Sequence, residues 1–193
     1  MRISESNPAT PQQIRGKKIS IKIVNCGPDT LVDHIKVESK LEYRQSILDE
    51  LTGCIDNDWP PSASIALTPT KYIPGLYRCT LCVDDKELSL TEAGRFWFSV
   101  RDRSKLPQII IMLNDQTAAA YNPWGGYNLY GDGSTCFPDQ QYIKCREMCT
   151  GKVDPTTVSL RRPWIGNPFT DAESLCRWLT KTKRLGYEVW TSD

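Results

Sequence analysis

Gly126-Tyr127-Asn128-Leu129-Tyr130-Gly131-Asp132-Gly133-Ser134-Thr135-Cys136-Phe137 is the stretch on which the reading of the fold turns. It belongs to a longer segment, Tyr121 to Pro138, that combines glycine, proline and aromatic residues. Irregular segments of this length inside a compact domain often carry function. A free cysteine usually ends as a small buried core residue. Cys136, however, is flanked by Gly131, Asp132, Gly133 and Ser134, which favour an exposed bend and a reachable thiol. Asn128 has two readings: a turn residue satisfying its own backbone, or a side-chain amide that donates to an oxyanion.

Working outward, Lys18 to Val24 alternates polar and β-branched residues and reads as a strand wet on one face, ended by Gly27-Pro28-Asp29. From Val37 to Leu51 the apolar positions Val37, Leu41, Ile47, Leu48 and Leu51 fall mainly on one helical stripe, and Gly53 follows as a cap. After Asp58-Trp59-Pro60-Pro61 come four extended candidates: Ala63–Thr68, Gly75–Val83, Arg95–Val100 and Gln108–Leu113. Pro69, Pro74, Gly94 and Pro107 separate them, so an antiparallel meander is the simplest arrangement. Thr170-Asp171-Ala172-Glu173 has the capping-box pattern, and Ala172, Leu175, Cys176 and Leu179 follow at core-facing helical spacing. Gly186 is placed to stop that helix. The expected architecture is α+β: a four-stranded antiparallel meander packed by helices, with an extra N-terminal strand.

The chain has 193 residues and 39% hydrophobic content, enough for one substantial core. Residues 1–16 are polar, contain Pro8 and Pro11, and read as a loose terminus. Residues 17–193 then form a single domain with an insertion at about 139–161. Lys and Arg (24) nearly balance Asp and Glu (23), leaving no broad field to attract nucleic acid or an anionic membrane, so a protein partner is expected. No apolar run reads as a secretory signal or a transmembrane span, which places the chain in the cytoplasm with its eight cysteines reduced.

The element order and the loop together resemble the ubiquitin-conjugating-enzyme-like family. Asn128 stands eight residues before Cys136 and Gly133 three before it, as in that family's active-site loop. Leu106-Pro107-Gln108-Ile109-Ile110-Ile111 is similar to its entry to the fourth strand, and Trp164 to Thr170 to the turn opening its next helix. Gly126 and Tyr127 replace the family's His-Pro. Asp132-Gly133-Ser134-Thr135-Cys136, Trp178-Leu179 and Tyr187-Glu188-Val189-Trp190 are similar to the bacterial branch found in ubiquitin-like modification and anti-phage signalling operons.

The resemblance implies a transferase that holds a ubiquitin-like protein or another C-terminal tail as a thioester on Cys136 and delivers it to an amine. It also implies partners: an activating enzyme, and in the anti-phage branch a cyclic-nucleotide synthase. Cys136 and Asn128 would be catalytic; Gly131, Asp132, Gly133 and Ser134 would shape the loop; Trp164 would be structural. No cofactor or metal is implied.

Three other readings compete. A papain-like site needs a base beside the thiol, and the single histidine, His34, lies far upstream. A non-catalytic interaction module could use the same fold. Zinc could be held by Cys79 and Cys82 with Cys145 and Cys149, although residues three apart on a strand point to opposite faces. Cys145 and Cys149 could instead serve as auxiliary acceptor or redox thiols.

Overall fold

The computed structural model of the chain describes residues 17–37, 47–49, 54–56, 63–87, 94–122, 129, 158–159, 161, 164 and 167–191. Strand β1 (Ile19–Asn25) pairs antiparallel with β2 (Thr30–Val37) through the Cys26–Asp29 turn, and on its other edge with β5 (Gly75–Val83). A separate short ladder joins β3 (Ile47–Asp49) to β4 (Cys54–Asp56). Asp84 and Asp85, both at positive φ (49° and 64°), make the two-residue turn from β5 into β6 (Lys86–Glu87). Such a turn matches the right-handed twist of a hairpin, and Asp tolerates the left-handed region well. Beyond β6, β7 (Arg95–Val100) takes over the same edge of β5. The main sheet therefore runs β2-β1-β5, with β6 and β7 sharing the far edge.

Strand alternation gives this sheet two apolar faces. On one, Ile19, Ile21 and Ile23 of β1 meet Tyr77, Cys79 and Leu81 of β5, with Phe96, Phe98 and Val100 of β7 beside them. Tyr77 stacks on Phe98 at 5.1 Å, and Tyr72 meets Tyr77 edge-on at 5.3 Å. On the other face, Leu76 and Cys26 pack with Ile111, Phe169, Cys176, Leu179 and Val189. Those residues come from a second layer: β8 (Ile109–Met112) in parallel with β9 (Tyr187–Trp190), and helix α2 (Thr170–Trp178), which continues through a wide π-type turn at Leu179–Lys183. Helix α1 (Asp115–Tyr121) follows β8.

The coarse expectation holds: a mixed α/β chain with an antiparallel sheet of several strands and two helices among the described residues. Its connectivity differs. Val37 closes strand β2 and Ile47–Asp49 is a strand, so the helix read across Val37–Leu51 does not form as one. Val32, Ile35 and Val37 all pack on the first core, but the register shift facing Ile23 and Val24 breaks their period of two. A bulge of that kind hides a strand from any test of alternation. Residues 63–68 form no strand. The meander also fails, because β8 pairs with β9 and not with β7, and the expected extra N-terminal strand is central.

Helix α2 begins on Phe169 without a side-chain cap. The Thr170 hydroxyl donates to the Asn167 carbonyl at 3.0 Å, and the Glu173 carboxylate turns inward, so the capping box is not made. Leu175, expected in the core, is 41% exposed, whereas Cys176 and Leu179 are buried.

Candidate functional site

Arg78 and Trp97 are register partners on β5 and β7, and both donate to Glu173 of α2. The guanidinium reaches Oε2 at 2.5 Å, while the indole N–H (2.7 Å) and the Asn167 side-chain amide (3.2 Å) reach Oε1. Glu173 is 4% exposed, and a buried carboxylate is tolerable only when it is paired and hydrogen-bonded in this way. Three of its roughly four acceptor positions are taken. It is therefore a clamp fastening α2 to the sheet. The Phe169 ring lies beneath, edge-on to Trp97 at 5.2 Å and to Trp164 at 5.8 Å. Cys26 and Cys176 are free and buried beside this clamp. Burial first, and the Glu173 charge second, push the Cys26 thiol up to about 12. Burial pushes Cys176 up to about 11 against the opposing hydrogen bond from Tyr187. Neither thiol is poised as a nucleophile.

Next to the clamp, where β1 ends and β5 and β9 begin, lies a groove of about 430 Å³. Its floor is Asn25, 2% exposed, whose Oδ1 accepts the Gly27 N–H (3.0 Å) and whose Nδ2 donates to the Tyr77 hydroxyl (3.1 Å). Tyr77 in turn donates to the Ile73 carbonyl at 2.6 Å. An Asn side chain offers two N–H bonds and two lone pairs, so among the described residues one of each is left over. The Tyr187 hydroxyl forms the inner wall, within hydrogen-bond reach of Thr180 and Cys176, and burial above all raises its pKa. Gly27 makes this closeness feasible, since a Cβ there would fall against the Tyr187 hydroxyl and within 2.6 Å of the Thr180 hydroxyl. Gly75, at φ +152°, occupies a conformation that side chains rarely adopt. Ile73, Pro74 and Leu185 supply apolar walls, and Arg184 stands at the rim.

Asn128, Gly131, Asp132, Gly133, Ser134 and Cys136, read as site residues from the sequence, lie outside the described residues, as do Cys145 and Cys149. Trp164 packs on Phe169. His34 sits on β2 with Nε2 at 2.8 Å from the Ser20 hydroxyl. Cys79 lies in the first core, while the Cys82 thiol points toward the Thr80 carbonyl at 3.8 Å. Among the described residues, no group of three or more His, Cys, Asp or Glu is gathered as for a metal ion. Asn25, Arg184, Tyr187 and Glu173 were not singled out as site residues from the sequence. The one signal for them was the glycine of Gly27-Pro28-Asp29, which permits a close approach that no spacing rule reveals.

Comparison with known families gives a match over residues 29–192, described as N,N-dimethylformamidase β subunit-like, C-terminal. The chain belongs to that family. Neither curated proteins nor solved structures yield a match. The matched region starts at Asp29, so it takes in everything from β2 to β9 and leaves β1 outside.

Membership in the N,N-dimethylformamidase β-subunit-like family overturns the ubiquitin-conjugating resemblance. The thioester-carrying transferase, its ubiquitin-like donor, its activating enzyme and the cyclic-nucleotide synthase fall with it, as does the interaction module of the same fold. The cause is physical. Gly-x-x-Cys with a preceding Asn is ordinary turn chemistry, in which glycine and asparagine supply bends whatever the function. The element order offered for it depended on one helix spanning 37–51 and on β8 following β7 in one sheet, but Val37 and Ile47–Asp49 are strand and β8 pairs with β9. None of the described helices is long and apolar enough to cross a membrane.

Proposed function

We propose that the chain works as a domain of an amide-cleaving enzyme subunit, with small carboxamides of the N,N-dimethylformamide type as substrates. The observation that carries this reading is the family match, which takes in every strand of the antiparallel sheet but β1 together with the α2–β9 layer that Glu173 ties to it. In such a reaction water adds to the amide carbon, the C–N bond breaks, and the nitrogen takes a proton and leaves as dimethylamine, with formate as the other product. The groove beside the clamp suits that substrate size and is walled by apolar side chains with hydrogen-bond donors at its floor.

In this reading residues 17–193 act as one domain, and Cys136 and Asn128 are kept as site residues, with Gly131, Asp132, Gly133 and Ser134 shaping their loop. The test is release of dimethylamine from N,N-dimethylformamide by the full chain, in whatever complex it forms in its source. Time-dependent release that heat inactivation abolishes supports the proposal; release no faster than in buffer overturns it. In the same assay, loss of turnover in Cys136→Ala assigns the chemistry to that thiol, and full turnover removes Cys136 from the site.

A further inference from the structure

The groove at Asn25 carries more than its volume. Helix α2 leaves its regular path through the π-type turn at Leu179–Lys183, a feature often found at functional sites. The chain then reverses at Arg184, which holds φ 53°, ψ 36° with its backbone N–H bonded to the Leu179 carbonyl. This left-handed position after a helix usually takes glycine. Gly186, two residues later, does not take the left-handed conformation. The strained position is thus filled by a residue that gains nothing from the backbone there. Its side chain lines the groove and has no carboxylate partner among the described residues. The nearest acidic residue of the adjoining turn, Asp29, is held by Arg177 at 3.3 Å.

The geometry points to the groove as a binding site for a small carboxylate with a short apolar chain. Arg184 would meet the carboxylate, the spare N–H of the Asn25 amide would donate to one of its oxygens, and Ile73, Pro74 and Leu185 would cover the alkyl part. Charge complementarity selects this ligand class, because among the described residues the groove lining contains one cation and no acidic side chain. Strain retained at a ligand clamp is a common arrangement. The site is the groove in which the amide substrate is also placed, and a carboxylate is what amide hydrolysis leaves behind; binding is read without turnover, so failure of the site and failure of the amide-cleaving reading are distinguishable. Asn25 and Pro28 precede the family match, so this part of the groove is built by the chain's own N-terminal strand and turn.

Sodium butyrate titrated into the 15N-labelled protein tests this, with butyramide as the uncharged isostere and sodium chloride at matched ionic strength as the control. Saturable shifts at the Asn25 side-chain amide and at Gly186 with butyrate are expected, with butyramide about tenfold weaker. Equal binding of the two, shifts reproduced by chloride, or no saturable shift overturns the proposal. Arg184→Gly discriminates further: relief of the left-handed strain should raise the melting temperature while binding falls about tenfold. Unchanged binding in that variant removes Arg184 from the site. Ile73→Trp, at a position 61% exposed and so tolerant of size, should block the groove without unfolding the chain.

Discussion

At the scale of single residues, the account turns on Glu173 and Asp33, two carboxylates in different surroundings. Glu173→Gln keeps the shape but leaves the Arg78 guanidinium, only 23% exposed, without its counter-charge. Urea denaturation should show a loss of about 2–3 kcal/mol, and a change below about 0.5 kcal/mol would mean the clamp is ornamental. Asp33 accepts from Lys71 at 2.9 Å and from the Tyr72 hydroxyl at 3.2 Å, and the Lys71 hydrogen bond chiefly lowers its pKa below 3.8. The contribution is present above pH 3.8 and fades as the pH falls from there through the depressed folded value. With Lys71 half exposed, it amounts to under about 1 kcal/mol. Asp33→Asn should flatten the acid limb of the stability profile between pH 5 and 2 by about that amount; an unchanged limb would show that the pair does nothing. Neither role was legible from sequence: Glu173 read as the capping partner of Thr170, whereas its partners Arg78 and Trp97 lie 95 and 76 residues away, and Asp33 stood out in no pattern.

Among the elements, strand β1 is the test case. Alternation made β1 readable, while β5, β7 and β8 were readable as extended runs set off by the proline and glycine breaks between them. What alternation cannot reveal is the neighbour. The position of β1 between β2 and β5, and the parallel pairing of β8 with β9 more than seventy residues away, depend on side-chain sets that become complementary only in space. Short α1 was missed because its Ala-rich seven residues carry almost no periodicity. If β1 is central, Ile21→Ala, fully buried at 0% exposure, should cost about 3 kcal/mol. Leu31→Ala on β2, 59% exposed, should cost less than about 0.5 kcal/mol. Comparable costs for the two variants, measured by chemical denaturation, would refute that strand order.

For the whole molecule, the family boundary and the fold boundary do not coincide. The match begins at Asp29, whereas the sheet needs Ile19–Asn25 to join β2 to β5. A chain shortened to residues 29–193 contains the full family region yet loses its middle strand and one side of the first core. Circular dichroism should show it failing to fold cooperatively, and a sharp thermal transition would contradict the topology. The site was less legible than the sheet. The loop around Cys136 drew attention because reactive cysteines share a local signature, while a groove assembled from a turn, a strand start and a helix end has none.

The most direct test of the functional account is turnover of N,N-dimethylformamide in water enriched in oxygen-18. The account predicts dimethylamine and formate in equal amounts, with one labelled oxygen entering each formate. Amine release without label in the formate, or no release at all, would contradict it.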